Sequence, residues 1–112
     1  MIIETKLKEG IKIIKLSGEV NFDNYLEFGE SLLRSIQGSE NIILDMDGLT
    51  YLNSMGLSAI VKAYSKARRD ERELKLASLK ENIEKLFVIT KLNRLIDICD
   101  TVESAVQSYH KK

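Results

Sequence analysis

The first part of the chain contains two short segments in which apolar and polar residues partly alternate. Residues 2–8 and 11–16 are rich in isoleucine and lysine, and Glu9 and Gly10 lie between them. A period of two is typical of β-strands, and a short connection containing glycine predicts that the two strands form a β-hairpin. Residues 17–23 follow and are predicted to form a loop.

Helical periodicity begins after this loop and returns three times. The positions expected to face the core are, helix by helix, Tyr25, Phe28, Leu32, Leu33 and Ile36; Leu57, Ile60, Val61 and Tyr64; Ile83, Leu86, Phe87 and Thr90; Val102, Ala105, Val106 and Tyr109. Gly38 is a plausible stop for the first helix, and the second runs from Ser54 to about Arg69. Capping-box spacings, Ser78 with Glu81 and Asp100 with Glu103, predict the starts of the third and fourth helices.

Short apolar runs separate the helices and predict strands at residues 42–46, 74–77 and 96–99. A turn at Asp47 and Gly48 is expected between the first of these strands and the helix at Ser54. The resulting order is ββαβαβαβα, which is typical of an α/β fold with a mixed, mostly parallel sheet covered by helices. We expect a single domain over residues 1–112, with fraying from His110 to Lys112.

Composition limits the kinds of partner. The chain has 17 basic and 17 acidic residues, so its net charge of zero does not favour nucleic acid or an anionic membrane surface. A neutral chain can also self-associate weakly. Basic residues near Lys62 to Arg72 alternate with acidic ones and indicate a solvated face. There is no apolar run of membrane-helix length and no signal-peptide pattern. Cys99 is the only cysteine and is expected to be buried, so we expect a cytoplasmic protein.

Motifs for catalysis and cofactor binding are missing from the sequence. Neither of the two common glycine-rich nucleotide motifs is present, no Cys/His cluster predicts a zinc site, and the single histidine, His110, is close to the C-terminus. Asp45 and Asp47 could be imagined as ligands for Mg²⁺, although a pair of carboxylates more often caps turns. We therefore expect a protein that is not an enzyme and that uses no cofactor or metal.

The segment around Ser54 is the most informative part of the chain. It places a serine hydroxyl at a predicted helix N-terminus, directly after a strand, where backbone N–H groups and the helix dipole favour an anion. Two interpretations are open. Asn53 or Ser54 can simply cap the helix, with Gly56 allowing the turn to pack closely. Alternatively, Ser54 is a phosphoacceptor, and the added charge weakens binding of a partner at this surface.

Three stretches of the chain, residues 16–21, 43–57 and 74–96, resemble the STAS-domain family, specifically the bacterial anti-sigma factor antagonists. The resemblance implies the small STAS α/β fold and identifies Ser54 as the phosphorylated serine. It implies that the unphosphorylated protein binds an anti-sigma factor that is also a serine kinase and so releases a sigma factor. Phosphorylation by that kinase, with ATP, ends the interaction, and a phosphoserine phosphatase restores it.

The resemblance also implies a partner-binding surface. It consists of the loop after the second strand and the start of the helix at Ser54: Val20, Asn21, Phe22, Asp23, Asn24, Asn53, Ser54, Met55, Gly56, Leu57 and Ser58. Asn21 and Asn53 stand where the family usually has aspartate. This difference motivates an alternative, a non-switching structural subunit of a stress-signalling complex or a lipid-transport assembly. A nucleotide-binding protein is a third hypothesis, and the missing glycine-rich loop argues against it.

Overall fold

A computed structural model describes residues 1–110 of the chain. Its elements, in chain order, are β1 (Ile2–Lys8), β2 (Ile11–Val20), α1 (Tyr25–Ser35), β3 (Ile42–Leu52), α2 (Ser54–Arg69), β4 (Leu74–Ala77), α3 (Glu81–Ile89), a 3₁₀ turn (Leu92–Arg94), β5 (Ile98–Cys99) and α4 (Val102–His110). This order confirms the predicted sequence of strands and helices. Among residues 1–110, no helix combines the length and apolar character needed to cross a membrane.

The five strands form one sheet in the order β1-β2-β3-β4-β5. β1 runs antiparallel to β2, whereas the pairs β2–β3, β3–β4 and β4–β5 are parallel. The predicted β-hairpin and the mixed, mostly parallel sheet are therefore confirmed. Glu9 and Gly10 form the hairpin turn with φ angles of 53° and 80°, a left-handed backbone that glycine adopts without strain.

The two central strands are longer than the sequence predicted. β2 continues to Val20, and β3 continues through Asp47 and Gly48 to Leu52, so the predicted loop at residues 17–20 and the predicted turn at 47–48 are wrong. The register between β2 and β3 shifts twice in this region. At Gly48 a Cβ atom would lie 2.5 Å from the Ser17 hydroxyl oxygen. Glycine here therefore allows close approach of two strands instead of ending one.

Helices cover both faces of the sheet. The larger core lies between the sheet and α1, α2 and α3 and includes Leu44, Phe28 and Phe87. The smaller core lies between the opposite face of the sheet and α4 and includes Ile13 and Tyr109. The Tyr109 hydroxyl donates a 2.7 Å hydrogen bond to the Ile42 carbonyl oxygen. Burial, together with nearby acidic groups, raises the pKa of Tyr109.

Both predicted capping boxes are wrong in detail. α3 begins at Glu81, and Ser78 precedes it with a φ of 61°, outside the helix. The start of α4 is capped one residue later than predicted. The Ser104 backbone N–H donates to the Thr101 hydroxyl at 3.0 Å, and the Thr101 backbone N–H donates to the Ser104 hydroxyl at 3.1 Å. A serine therefore takes the reciprocal role that the motif usually gives to glutamate.

The structure corrects three further predictions near the end of the chain. The last strand contains only Ile98 and Cys99, and Ile96 is buried before it begins. Cys99 is half-buried instead of fully buried. His110 is the last residue of α4, so the expected fraying does not apply to it, while residues 111–112 lie outside the described part of the chain.

Candidate functional site

The junction between β3 and α2 places Ser54 at the start of a 16-residue helix. Asn53 is the N-cap residue, and its side-chain oxygen accepts a 2.8 Å hydrogen bond from the Gly56 backbone N–H. This bond satisfies one of the N–H groups that a helix N-terminus leaves without a partner. Asn53 is buried, whereas Ser54 is exposed. The predicted cap is thus Asn53, and the Ser54 hydroxyl is left accessible.

Gly56 holds the first turn of α2 against the sheet. A Cβ atom at this position would lie 2.6 Å from Leu52 Cδ1 and 2.7 Å from Val20 Cγ1. Both distances are far below the 3.5–4 Å of an ordinary carbon contact. The expectation that glycine permits close packing here is confirmed, and the position of Ser54 is fixed by the packing beneath it.

The loop between β2 and α1 is organised by two asparagine side chains. The Asn24 side-chain oxygen accepts a 2.9 Å hydrogen bond from the Asn21 backbone N–H, and its amide nitrogen donates to the Glu19 carbonyl oxygen at 2.8 Å. The Asn21 side-chain oxygen accepts from the Asp23 backbone N–H at 2.9 Å. These bonds hold Phe22 at the tip of the loop with 79% of its surface exposed.

The structure brings this loop and the start of α2 together. The last residues of β2 and β3, Val20 and Leu52, are in register, and the Asn53 backbone N–H donates to the Val20 carbonyl oxygen at 3.0 Å. The residues predicted to bind a partner divide into two groups. Those that are exposed or half-buried are Asn21, Phe22, Asp23, Asn24, Ser54, Met55 and Ser58. Those that are buried and support them are Val20, Asn53, Gly56 and Leu57.

A shallow groove of about 210 Å³ between α1 and α2 extends this surface. Leu26 lines it from α1 and is 70% exposed, and Met55 lines it from α2 and is 43% exposed. The sequence interpretation missed Leu26 and the other α1 residues of the groove. The local pattern gives no signal for Leu26, because single exposed apolar side chains are common on protein surfaces.

The N-terminus of α2 favours an anion at Ser54. The first turn of α2 contains no acidic residue. The helix dipole and the free N–H groups of the first turn attract an anion, and no acidic side chain on this turn opposes that attraction. The surface can therefore accept a phosphoryl group on Ser54 without like-charge repulsion from its own helix.

Side chains of the types that bind metal ions are not clustered in the described part of the chain. No group of three or more His, Cys, Asp or Glu side chains among residues 1–110 could hold a metal ion. Asp45 instead stabilises the irregular part of β3, because its carboxylate accepts a 3.1 Å hydrogen bond from the Asp47 backbone N–H. Asp45 therefore has a capping role of the kind expected, but within an irregular strand instead of at the predicted turn.

The basic residues near the end of α2 do not all lie on a solvated face. Lys66 is exposed and pairs with Asp70 at 3.0 Å, as expected of a mixed-charge surface. Arg72, however, is buried, and its Nε donates a 2.6 Å hydrogen bond to the Glu40 carbonyl oxygen. The prediction of a solvated face is therefore wrong for Arg72, which connects the start of β4 to the segment before β3.

Comparisons with known proteins agree with this fold. A family model described as the STAS domain matches residues 3–105. The anti-sigma-B factor antagonist of Bacillus subtilis (strain 168) is 26% identical over 105 residues, covering 94% of this chain and 96% of the relative. An anti-sigma factor antagonist from Mycobacterium paratuberculosis has a TM-score of 0.88 at 14% identity, covering 98% of this chain and 94% of its own.

The anti-sigma factor antagonist SpoIIAA of Bacillus is also similar in structure. Its unphosphorylated form has a TM-score of 0.78 at 17% identity, covering 97% of this chain and 96% of its own. Its phosphorylated form has a TM-score of 0.71 at 15% identity, covering 96% and 99%. Because the family model spans nearly all of the chain and the solved relatives share its fold, this protein belongs to the STAS domain family.

Proposed function

We propose that this chain is an anti-sigma factor antagonist controlled by phosphorylation of Ser54. The unphosphorylated form binds an anti-sigma factor that is also a serine kinase, and the sigma factor is released. The kinase then phosphorylates Ser54 with ATP, the complex dissociates, and a phosphoserine phosphatase returns the protein to its binding form. In this cycle the protein is a cytoplasmic substrate and binding partner, not a catalyst. The observation that carries the proposal is the exposure of Ser54 at the N-terminus of α2, beside exposed apolar side chains.

The fold can tolerate the modification that the switch requires. A phosphoryl group adds roughly −1.5 to −2 charges and three acceptor oxygens. At a helix N-terminus, an anion of this kind is stabilising by about 0.3–1 kcal/mol, and the first turn of α2 has no acidic residue to oppose it. The folded state of the modified protein should therefore differ little from that of the unmodified one.

A phosphoryl group on Ser54 would affect the complex with a partner much more than it affects the free protein. The proposed contact surface contains Phe22, Leu26 and Met55, which are 79%, 70% and 43% exposed. Apolar side chains of this kind are buried when a partner binds, and a phosphoryl group beside them would lose its hydration. A penalty of about 3 kcal/mol would weaken the complex more than 100-fold. The same group can thus be harmless to the free protein and decisive for the complex.

The phosphorylation step can be tested by mass spectrometry. The protein is incubated with Mg-ATP and each anti-sigma-type kinase of its source organism, and phosphopeptides are then located. We expect one phosphate on Ser54, lost in Ser54→Ala and retained in Ser58→Ala. Ser58 is a matched control, because it is an exposed serine one turn further along the same helix. Failure of every kinase to modify Ser54, or modification of Ser58 instead, would contradict the proposed switch and favour a non-switching subunit.

The binding step needs a separate measurement. With the kinase that modifies Ser54, calorimetry should show that Ser54→Ala binds about as tightly as the unmodified protein and that Ser54→Asp binds at least tenfold more weakly. Both variants should keep the thermal midpoint of the parent chain, since Ser54 is exposed and its side chain is not part of the core. Equal binding by Ser54→Asp would show that charge at this position does not control the interaction.

A further inference from the structure

β1 forms one free edge of the sheet. It is paired on one side only, with β2, so every second residue of this 7-residue strand directs its backbone N–H and C=O groups away from the sheet. Two of its apolar side chains are largely exposed, Ile2 at 59% and Leu7 at 63%. A long free edge with exposed apolar residues is a template for pairing with another strand.

We infer that β1 pairs with β1 of a second copy of this chain. The two strands would run antiparallel about a two-fold axis at Thr5 and join two five-stranded sheets into one. The order of side chains along the edge supports this pairing, which does not depend on the function proposed for Ser54.

The register between β1 and β2 shows which side chains share a face. Ile3 is paired with Leu16, and it packs against the larger core. Thr5 and Leu7 lie on this same face, because alternate residues of a strand point to the same side. Glu4 and Lys6 therefore point to the opposite face. A two-fold axis perpendicular to the sheet keeps each face continuous, so only residues of the same face can oppose one another across the new contact.

With the axis at Thr5, the two copies of Thr5 oppose one another, and the two pairs on either side of them are complementary. Ile3 of each copy opposes Leu7 of the other on one face, and Glu4 of each copy opposes Lys6 of the other on the second face. Apolar pairs and opposite charges at such positions stabilise a pair of strands. The remaining pair, Ile2 with Lys8, places an apolar side chain beside the aliphatic part of a lysine.

The two neighbouring symmetric registers are unfavourable. Moving the axis to Glu4 would oppose two glutamates, and moving it to Lys6 would oppose two lysines. Like charges directly opposite one another destabilise a strand pair. Lysines commonly protect free edges against non-specific pairing. In the register with its axis at Lys6, the two opposed lysines have this protective effect. With the axis at Thr5, Lys6 instead opposes Glu4 of the other copy. The edge therefore selects one self-complementary arrangement, an isologous dimer.

Charge reversal tests this arrangement directly. Sedimentation equilibrium of the full chain over a micromolar concentration range should show a reversible monomer–dimer equilibrium. Because each substitution occurs twice at the axis, Glu4→Lys and Lys6→Glu should each weaken dimerisation about tenfold or more. The double variant, Glu4→Lys with Lys6→Glu, should restore it. Lys8→Glu is the matched control. It makes the same change in net charge on the same strand, opposes no acidic residue in the proposed register, and should weaken dimerisation less than Lys6→Glu.

A covalent probe keeps the test informative if a charge variant folds poorly. In a Cys99→Ala background, Thr5→Cys places two thiols across the two-fold axis, at a separation that a disulfide can span. Mild oxidation should give a covalent dimer much faster for Thr5→Cys than for Lys8→Cys, in which the two thiols lie near opposite ends of the contact. A monomer at every concentration, an unrestored double variant, or equal cross-linking at the two positions would each overturn the inference.

Discussion

Gly56 gives the sharpest test of how the structure holds Ser54 in place. It lies two residues after Ser54, in the first turn of α2, and it is buried against the ends of β2 and β3. Replacing it with alanine adds a single methyl group and leaves the polar contacts of the site unchanged. The Gly56→Ala substitution therefore tests packing at this junction without removing a hydrogen bond.

Two effects of opposite sign determine the result. Alanine is a better helix former than glycine by about 1 kcal/mol, which would stabilise α2. The new Cβ atom, however, would lie 2.6 Å from Leu52 Cδ1 and 2.7 Å from Val20 Cγ1. Val20 is fully buried and Leu52 is 3% exposed, so neither methyl group has free space into which it can move. Overpacking of this kind costs about 1–3 kcal/mol, and distances this short place the site at the upper end. We expect a net loss of about 1–2 kcal/mol.

Gly29 provides the matched control, because it is also a helical glycine. A Cβ atom there would lie 3.6 Å from Ala59 Cβ, an ordinary van der Waals contact. Gly29→Ala should therefore stabilise the protein by about 0.5–1 kcal/mol. Urea unfolding with an unchanged m-value, supported by a thermal midpoint lowered by about 5–10 °C for Gly56→Ala, would agree with this reasoning. If both substitutions stabilised the chain, the close packing of α2 on the strands would be refuted.

Two further predictions concern a cap and a buried tyrosine. Asn53→Ala removes the 2.8 Å hydrogen bond to Gly56 and should lower the free energy of unfolding by about 1–2 kcal/mol in urea, whereas Asn53→Asp keeps an acceptor and should lose less. Tyr109 has a pKa raised by burial in the folded state, so the unfolded chain releases this proton first, near pH 10, the ordinary pKa of tyrosine. Its contribution to stability is present below that pH and declines above it. Tyr109→Phe should flatten this decline above pH 10 relative to the parent chain, and an unchanged slope would contradict the assignment.

The sequence predicted best those elements that local periodicity defines. The helix at Tyr25 and the strand at Leu74–Ala77 are where the apolar pattern placed them, because α1 buries Phe28 and Leu32 on one face and all four residues of β4 are buried. The lengths of β2 and β3 could not be predicted in this way. Gly48 reads as a turn residue in isolation, and only the neighbouring strand at Ser17 shows that it serves close approach.

The candidate site was predicted only in part. Local spacing indicated that Asn53 or Ser54 caps the helix, since a capping bond joins residues three apart, and the structure assigns the cap to Asn53. The burial of Leu57 follows from the helical periodicity of α2. The burial of Val20 and the contribution of Leu26 to the groove, however, depend on how β2, α1 and α2 come together. Those contacts join distant parts of the chain, and no pattern within a single element specifies them.

The site consists of buried residues that support it and exposed residues that are available to a partner. Mutations can therefore change the stability of the fold and the binding of a partner separately. Gly56 and Asn53 fix the start of α2 through packing and a cap, so changes there should alter stability and, through the position of Ser54, binding as well. Ser54, Met55 and Phe22 are exposed and have little part in the core, so changes there should alter binding alone. A phosphoryl group on Ser54 belongs to the second class, because it modifies an exposed hydroxyl on a helix end that favours anions. A switch placed at this position can therefore be strong for the complex and nearly neutral for the fold.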